Sequence, residues 1–399
     1  MEVIYPSSIF FRPLMKRTKS TEANLMAAFS YFRRTLVALL FLLALQPAVA
    51  AKELLVVQVA PLTGPQGVTG RAIGAGARLY FDHVNAGGGI NGAPIRFVSR
   101  DDGQNPETTV RFIRESLERE APVAFVGSVG TNNIEALVRD GGLARSGVPL
   151  VGAVSGASSV IGKPSIFIVK AGYRAEIARL FQQLGQTGQQ RVGLVFQKDA
   201  LGDDVVAGAD AEAGKWGIDL VARAGYERNT TKVEAAVEAM LKARPGSIFL
   251  GATTLAAVEF VRQYREGGGL APIYGLSIID SQVLLAKLGP DLARGFAFSV
   301  VVPMESRVAL PLVREYAKLK AQSKNPDIGA RSMEGFIAAR ALVAALRKGA
   351  ASGSEAGKAV AGIRKLDLGG YRLDFSTGDR SGSTFVDFAM FGRGGQIVQ

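Results

Sequence analysis

The chain has 399 residues, no cysteine and a single histidine, His83, which excludes disulfides, thiolate metal sites, a cysteine nucleophile and a lipid-modified N-terminal cysteine, and leaves little for zinc or a serine triad. The length suffices for two or three domains, each with its own core. Of the formal charge of +12, six Lys/Arg against two Glu fall within residues 1–50 and the remaining +8 is dispersed; without a basic run or interleaved aromatics it reads as a mildly basic, solvated surface that favours acidic ligands, not as a nucleic-acid footprint.

Arg33 and Arg34 precede an apolar run over 35–45, and Ala48-Val49-Ala50 follows. A charged start, a short apolar centre and an A-x-A ending predict a signal peptide cleaved after Ala50, with residues 1–25 as an extension ahead of a start at Met26. An uncleaved anchor is the second reading, although the run is short for a bilayer. The arginine pair also raises the folded-export route, whose surrounding motif is poorly matched.

Residues 54–60 read as a buried strand, 61–70 as a long turn carrying Thr63, Gln66 and Thr69, and about 73–84 as a helix. His83 near that helix end suits a cation facing the C-terminal dipole, a structural role. Glycines at 87–89 end the helix. A strand over 94–98 leads to Asp101 and Asp102, which are either metal ligands or an acid pair, or else pin the loop and cap the helix expected over 106–118.

The stretch over 122–137 is the most informative. Val123 to Val126 is an unbroken apolar run, as expected for a parallel strand buried on both faces. A loop of small residues, Gly127 to Asn133, then enters a helix with Thr131 or Asn132 as its N-cap. Ligands of open α/β sheets bind at the carboxyl ends of strands. Ser128 and Thr131 with Gly130 offer hydroxyls, N–H groups and the positive end of a helix, which suits a carboxylate; a plain capped turn without a ligand is the other reading. A further strand over 148–154 ends at a second hydroxyl-bearing loop, Ser155 to Ser159, which strengthens the ligand reading. The strand over 166–169 leads through Tyr173 into a helix to about 184.

The alternation then restarts, with strands over 191–196, 219–222, 247–250, 272–275 and 296–302, helices over 204–216 and 232–243, and a helix that follows the 251–254 loop and runs to 266. Asp199, Leu201, Thr253 and Ser277 lie beyond strand ends. Helices over 308–323 and 331–347 follow, then β structure over 371–375 and 384–391. Two β/α segments of similar size predict two open parallel sheets.

These residues carry a resemblance. Pro61-Leu-Thr-Gly-Pro65, Phe81-Asp-His-Val-Asn-Ala-Gly-Gly-Gly-Ile-Asn-Gly92, the Asp101-Asp102 pair, Gly127 to Thr131, Val148 to Gly152 and Gln197-Lys-Asp-Ala-Leu-Gly202 resemble the leucine/isoleucine/valine-binding protein family, periplasmic receptors of ABC importers, over most of 54–391. The resemblance implies an α/β fold of the type I periplasmic binding protein class. It has two open parallel-sheet α/β lobes joined by a three-crossing hinge, with crossings near Gly172, Val302 and Ser383. Residues 1–50 would be the leader, 51–171 with 303–382 lobe 1, and 172–302 with 383–399 lobe 2.

By the same resemblance, the loops holding Ser128, Gly130 and Thr131 and holding Ala153, Val154 and Ser155 would take a ligand carboxylate. Thr69, Tyr173, Leu201, Thr253 and Ser277 would complete the pocket. The family's branched-chain binders place an acid near Ser277 for the ligand's ammonium; here the run is Leu276-Ser-Ile-Ile279, so Asp199 or Asp280 would have to supply that charge. A hydroxyl accepts a hydrogen bond from an ammonium but cannot neutralise it when buried.

The expected activity is therefore that of a monomeric periplasmic solute receptor. It would close on a small amino-acid-like or organic-acid ligand and deliver it to an ABC permease in the inner membrane, without cofactor, metal or nucleic acid. A periplasmic sensor signalling to a membrane kinase or regulator is the alternative. An enzyme is disfavoured: Ser128 and Ser155 have no histidine base, and Gly74-Ala-Gly-Ala lacks the third glycine of a dinucleotide fingerprint.

Overall fold

A computed structural model describes residues 52–376 and 381–399; the leader expected over 1–50 lies outside them. The first half is a βα alternation: β1 (Leu54–Ala60), α1 (Gly67–Ala86), β2 (Ile95–Asp101), α2 (Pro106–Arg119), β3 (Ala124–Val126), α3 (Thr131–Asp140), α4 (Gly142–Ser146), β4 (Leu150–Val151) and β5 (Ile166–Phe167). The five strands form an all-parallel sheet in the order β2-β1-β3-β4-β5. Every residue of β1 is buried. Leu55, Val57 and Val59 enter one core while Leu54 and Val56 enter another, as a central parallel strand covered by helices on both faces requires.

The chain then passes to a second sheet through α5 (Tyr173–Gln186), β6 (Arg191–Lys198), α6 (Ala200–Trp216), β7 (Asp219–Glu227), α7 (Glu234–Ala243), β8 (Ser247–Gly251), α8 (Thr254–Glu266), β9 (Ile273–Gly275), α9 (Ser281–Ala293) and β10 (Phe296–Val300). It returns to the first lobe with α10 (Pro311–Gln322), α11 (Ser332–Leu346), α12 (Gly353–Ala361) and a small pair, β11 (Leu366–Asp367) with β12 (Arg372–Leu373), before crossing back for β13 (Asp387–Phe391) and β14 (Ile397–Val398). The second sheet has the order β14-β13-β10-β9-β8-β6-β7. It is not all parallel: β13 runs antiparallel to β10 and to β14, because the last strands join as a neighbour and a hairpin, without a helical crossover.

Two helices escape the periodicity argument. Gly289, at φ 72°, and Pro290 break α9 into two pieces. The helix α12, for which no element was expected, opens in a small-residue stretch where Ser352 and Glu355 form a reciprocal capping box.

In the first lobe α11 lies along α1 at backbone contact. A Cβ on Gly76 would stand 1.8 Å from the Ser332 carbonyl oxygen, and one on Gly335 2.0 Å from that of Ile73. Tyr80 of α1 and Tyr316 of α10 meet Phe336 edge-on, at 5.2 and 5.3 Å between ring centres.

The three passages between the lobes run side by side. The Tyr371 hydroxyl lies within donating distance of the carbonyls of Val169, at 2.7 Å, and Val301, at 3.0 Å. The Gly382 N–H donates to Ile168 O at 2.7 Å, and the Ser381 hydroxyl to Lys170 O at 2.8 Å.

Candidate functional site

The loops after β3 and β4 are zipped together. Val129 and Val154 pair as a parallel bridge. The Val154 N–H donates to Ser128 O at 2.8 Å, and the Gly130 N–H donates to Val154 O at 3.2 Å. This register brings Thr131 Oγ1 to 2.9 Å from Ser155 Oγ, both buried. The Ser128 hydroxyl is fully buried with no hydrogen-bond partner among the described residues.

Thr131 is the first residue of α3, not its cap. Gly130 occupies the N-cap position at φ 105°, and no side chain caps the helix. The positive φ favours glycine there, and a Cβ on Gly130 would come 2.1 Å from Gln104 Nε2, so the Gln104 side chain would have to shift. A helix start without a capping side chain leaves its first N–H groups available to an anion. Thr69 is likewise helical, since α1 begins at Gly67; its buried hydroxyl reaches Gln66 Oε1 at 3.3 Å.

In the second lobe the two aspartates considered for an ammonium are committed elsewhere. Asp199 caps α6, accepting from the N–H groups of Leu201 at 3.1 Å and Gly202 at 3.3 Å, and it pairs with Arg228 at 3.4 Å. Burial nevertheless holds its pKa above the usual carboxylate range. Asp280 caps α9 through the N–H groups of Gln282 and Val283, at 3.0 and 3.1 Å. Thr253 donates its N–H to the Tyr226 hydroxyl at 3.0 Å, and Leu201 is buried in the first turn of α6. Asp101 and Asp102 pin the loop after β2, accepting from Leu62 N–H at 2.8 Å and from Thr109 Oγ1 at 2.7 Å, and Asn105 is the residue that caps α2. No metal-ligating group of three appears among the described residues, and His83 lies in the last turn of α1.

Ser277 is the centre of a network that sequence reasoning missed. Its N–H and hydroxyl both donate to the fully buried Glu176 carboxylate, each at 2.9 Å, and the Ser299 hydroxyl makes a further short contact to the same group. Lys170, also fully buried, donates from Nζ to Ser277 Oγ at 3.0 Å and lies 5.4 Å from the centre of the Tyr173 ring. Arg331 Nη1 donates to Ser277 O at 2.8 Å and lies 3.3 Å from Glu334 Oε2. Tyr173 is fully buried; burial, reinforced by the charge of Glu176, pushes its pKa well up, so its hydroxyl is a neutral donor, and it has no hydrogen-bond partner among the described residues. Lys170 and Glu176 lie far in sequence from Ser277, Ser299 and the Arg331–Glu334 pair, and spacing alone gives no sign of their meeting.

Contacts also run directly between the lobes. Arg228 Nη2 donates to Gln104 O at 2.8 Å and to Asn133 Oδ1 at 3.0 Å, and the Ala330 N–H donates to Gln282 Oε1 at 2.8 Å. Hydrogen bonds to a charged donor contribute about 1.5–3 kcal/mol. Arg228→Ala should therefore bias the lobes toward separation, raising the radius of gyration in small-angle scattering and weakening any cleft ligand roughly tenfold or more. Scattering profiles that superimpose for the two proteins would count against Arg228 as a latch.

A cavity of about 220 Å³ lies where the lobes and the second passage meet, lined by Ser277, Asp280, Phe298, Met304, Arg331 and Glu334 among others. Of the residues expected at the site, Ser277 and Asp280 line it and the others do not. The structure thus brings Ser128, Gly130, Thr131, Ala153, Val154 and Ser155 into one patch. It sets Ser277 in a separate polar cluster next to a cavity, and puts Asp199 to structural use.

A family model described as periplasmic binding protein matches residues 56–392. A crystal structure of a substrate-binding periplasmic protein from Ralstonia solanacearum is similar at 41% identity, covering 87% of this chain and 100% of that one, with a TM-score of 0.84. The Leu/Ile/Val-binding protein homolog 8 of Brucella abortus is 23% identical over 323 residues, 77% of this chain and 79% of that protein. A branched chain amino acid ABC transporter structure from Thermus thermophilus with bound valine shares the fold, at 19% identity over 87% of this chain and 94% of that one, with a TM-score of 0.77. With two α/β lobes, three passages between them and a family match over nearly the whole described chain, the protein belongs to the periplasmic binding protein family, in the type I fold that the resemblance to Leu/Ile/Val-binding proteins implied.

Proposed function

We propose that the protein is a periplasmic receptor of an ABC importer, acting as a monomer and without catalysis, whose lobes close on a small amino-acid-like or organic-acid solute. The lobes would be residues 51–171 with 303–382 and residues 172–302 with 383–399, and a leader cleaved near Ala50 would deliver the chain to the periplasm, where an inner-membrane permease receives the solute. The observation that carries this reading is the zipped pair of loops: the Thr131 and Ser155 hydroxyls meet at 2.9 Å beside the uncapped start of α3. That start presents N–H groups and a positive helix end to an anion. The name of the Brucella relative and the valine held by the Thermus structure point to the same solute class.

A thermal-shift screen of amino acids, aliphatic and aromatic carboxylates, amides and small diamines checks it. A solute that binds only the folded state raises the midpoint by mass action. A carboxylate hit that disappears in Thr131→Val and Ser155→Ala is the expected result. Hits confined to compounds without an acid group would remove the carboxylate role of the two loops.

A further inference from the structure

We propose that the cavity at the junction of the lobes is a second ligand site, separate from the paired loops, and that it takes a small organic cation carrying no carboxylate. The proposal goes beyond the receptor reading and does not need it. Ser128, Thr131, Ser155 and Tyr173 do not line this cavity. Its walls come from the start of α9 in the second lobe, from the second passage between the lobes and from Ala330 of the first lobe. Gln282 and Ala330, joined across the lobes at 2.8 Å, both line it, so an occupant touches both lobes.

The charges along the walls set the sign of the occupant. Asp280, Glu305 and Glu334 are the carboxylates that line the cavity among the described residues. Glu305 holds Lys320 with both oxygens, at 2.9 and 2.7 Å, and Glu334 faces Arg331 at 3.3 Å. Asp280, only 6% exposed, has no ion pair among the described residues. The two N–H groups that it caps, those of Gln282 and Val283, both go to Oδ1, and Oδ2 accepts from no described residue. Its full negative charge outweighs the roughly half positive charge of the helix end that it caps. The neighbouring Ser281, 7% exposed, makes no hydrogen bond with its hydroxyl among the described residues and lines the same cavity. A buried carboxylate oxygen and a buried hydroxyl left this way call for a partner.

An ammonium group supplies the missing charge and several N–H donors at once. A carboxylate on the same molecule would find no cation. Arg331 is the one Lys or Arg among the described lining residues; it spends Nη1 on Ser277 O, and its Nε and Nη2 are buried away from the cavity. The occupant is therefore a plain amine and not an amino acid. Phe298, Val300 and Met304 make the rest of the wall apolar, which suits a hydrocarbon body, and an aromatic ring beside a cation is itself attractive. At about 220 Å³ the cavity is smaller than a drug-sized pocket of roughly 300–1,000 Å³, which restricts the amine to a small one.

Isothermal titration with cyclohexylamine and with cyclohexanol, its neutral counterpart of similar shape, tests the site. The amine should bind roughly tenfold to a hundredfold more tightly than the alcohol, the share of a charge-assisted hydrogen bond. Asp280→Asn keeps an oxygen to cap α9 and removes the charge; it should erase that preference while the alcohol keeps its affinity. A thermal midpoint measured without ligand shows that the variant is folded, and the comparison of the two compounds on the unaltered protein stands without it. Thr131→Val should leave the affinity for the amine unchanged, which separates the cavity from the loops. An amine that binds no more tightly than the alcohol, that keeps its advantage in Asp280→Asn or that loses it in Thr131→Val overturns the assignment and leaves the receptor reading standing. A carboxylate found by the screen above that loses affinity in Asp280→Asn would make the cavity part of the solute cleft and overturn it too. A screen without any carboxylate hit, with the amine bound as expected, overturns the receptor reading alone.

Discussion

Glu176→Ala is expected to lower the unfolding free energy by about 3–5 kcal/mol, the usual cost of removing one member of a buried charged pair. The reason lies in what stays behind. Lys170 donates to the Ser277 hydroxyl, and that hydroxyl donates to Glu176, so the cation and the carboxylate are joined through one oxygen. Without the carboxylate, a fully buried ammonium loses its counter-charge. The Ser277 N–H and the Ser299 hydroxyl lose their acceptor at the same time. Glu176→Gln also removes the counter-charge but retains one acceptor oxygen, so it should cost somewhat less than Glu176→Ala. Urea denaturation, read as a shift in midpoint with an unchanged slope, measures both. A loss below about 1 kcal/mol in Glu176→Ala would be no more than an ordinary neutral hydrogen bond, and the network would then not be a keystone of the hinge.

The second large effect concerns the contact of α1 with α11. Gly335→Ala gains about 1 kcal/mol of helix propensity, but the new methyl would meet the Ile73 carbonyl oxygen at 2.0 Å. Backbone cannot rotate out of the way as a side chain can, so the helices must separate, and overpacking of this kind costs typically 1–3 kcal/mol, occasionally more. A net loss of about 2 kcal/mol is expected for Gly335→Ala, and more for the double variant with Gly76→Ala, whose methyl would meet Ser332 O at 1.8 Å. Gly214 is the control: it is an exposed glycine of α6 with nothing within 4 Å of a would-be Cβ. Gly214→Ala should be stabilising by up to about 1 kcal/mol. Equal responses at the two positions would mean that the close approach does not govern stability.

The sequence exposed the parts of this molecule that are local. Apolar runs such as Val123 to Val126 announced buried parallel strands, and small-residue loops after two of them pointed to the Thr131–Ser155 patch. What it hid is long-range. Glu176 reads as one polar position on an amphipathic helix, and Arg331 with Glu334 reads as an ordinary i,i+3 pair at a helix start; Glu176 meets Ser277 and Ser299, and Arg331 meets Ser277, only through the tertiary fold. Asp199 and Asp280 read as free carboxylates because a cap is visible only once the helix start is known. The start of α6 at Ala200 and the existence of α9 were blurred by Gly202, Gly289 and Pro290. The strand β13 was legible in the sequence, and the resemblance placed residues 383–399 with the second lobe; its antiparallel direction was not legible, since direction is set by where the chain has been, and β14 was not expected.

The packing of α11 on α1 also governs the order in which the molecule can be assembled. The first lobe joins residues 67–86 to residues 332–346, so its core closes only after the whole second-lobe sheet except β13 and β14 has been synthesised. Contacts of such wide sequence separation slow folding. A nascent chain ending at Ser323 still exposes the face of α1 that Phe336 and Ile337 cover in the finished protein. Closure of that core is thus postponed until α11 has been made, and until then the face of α1 that it covers stays open.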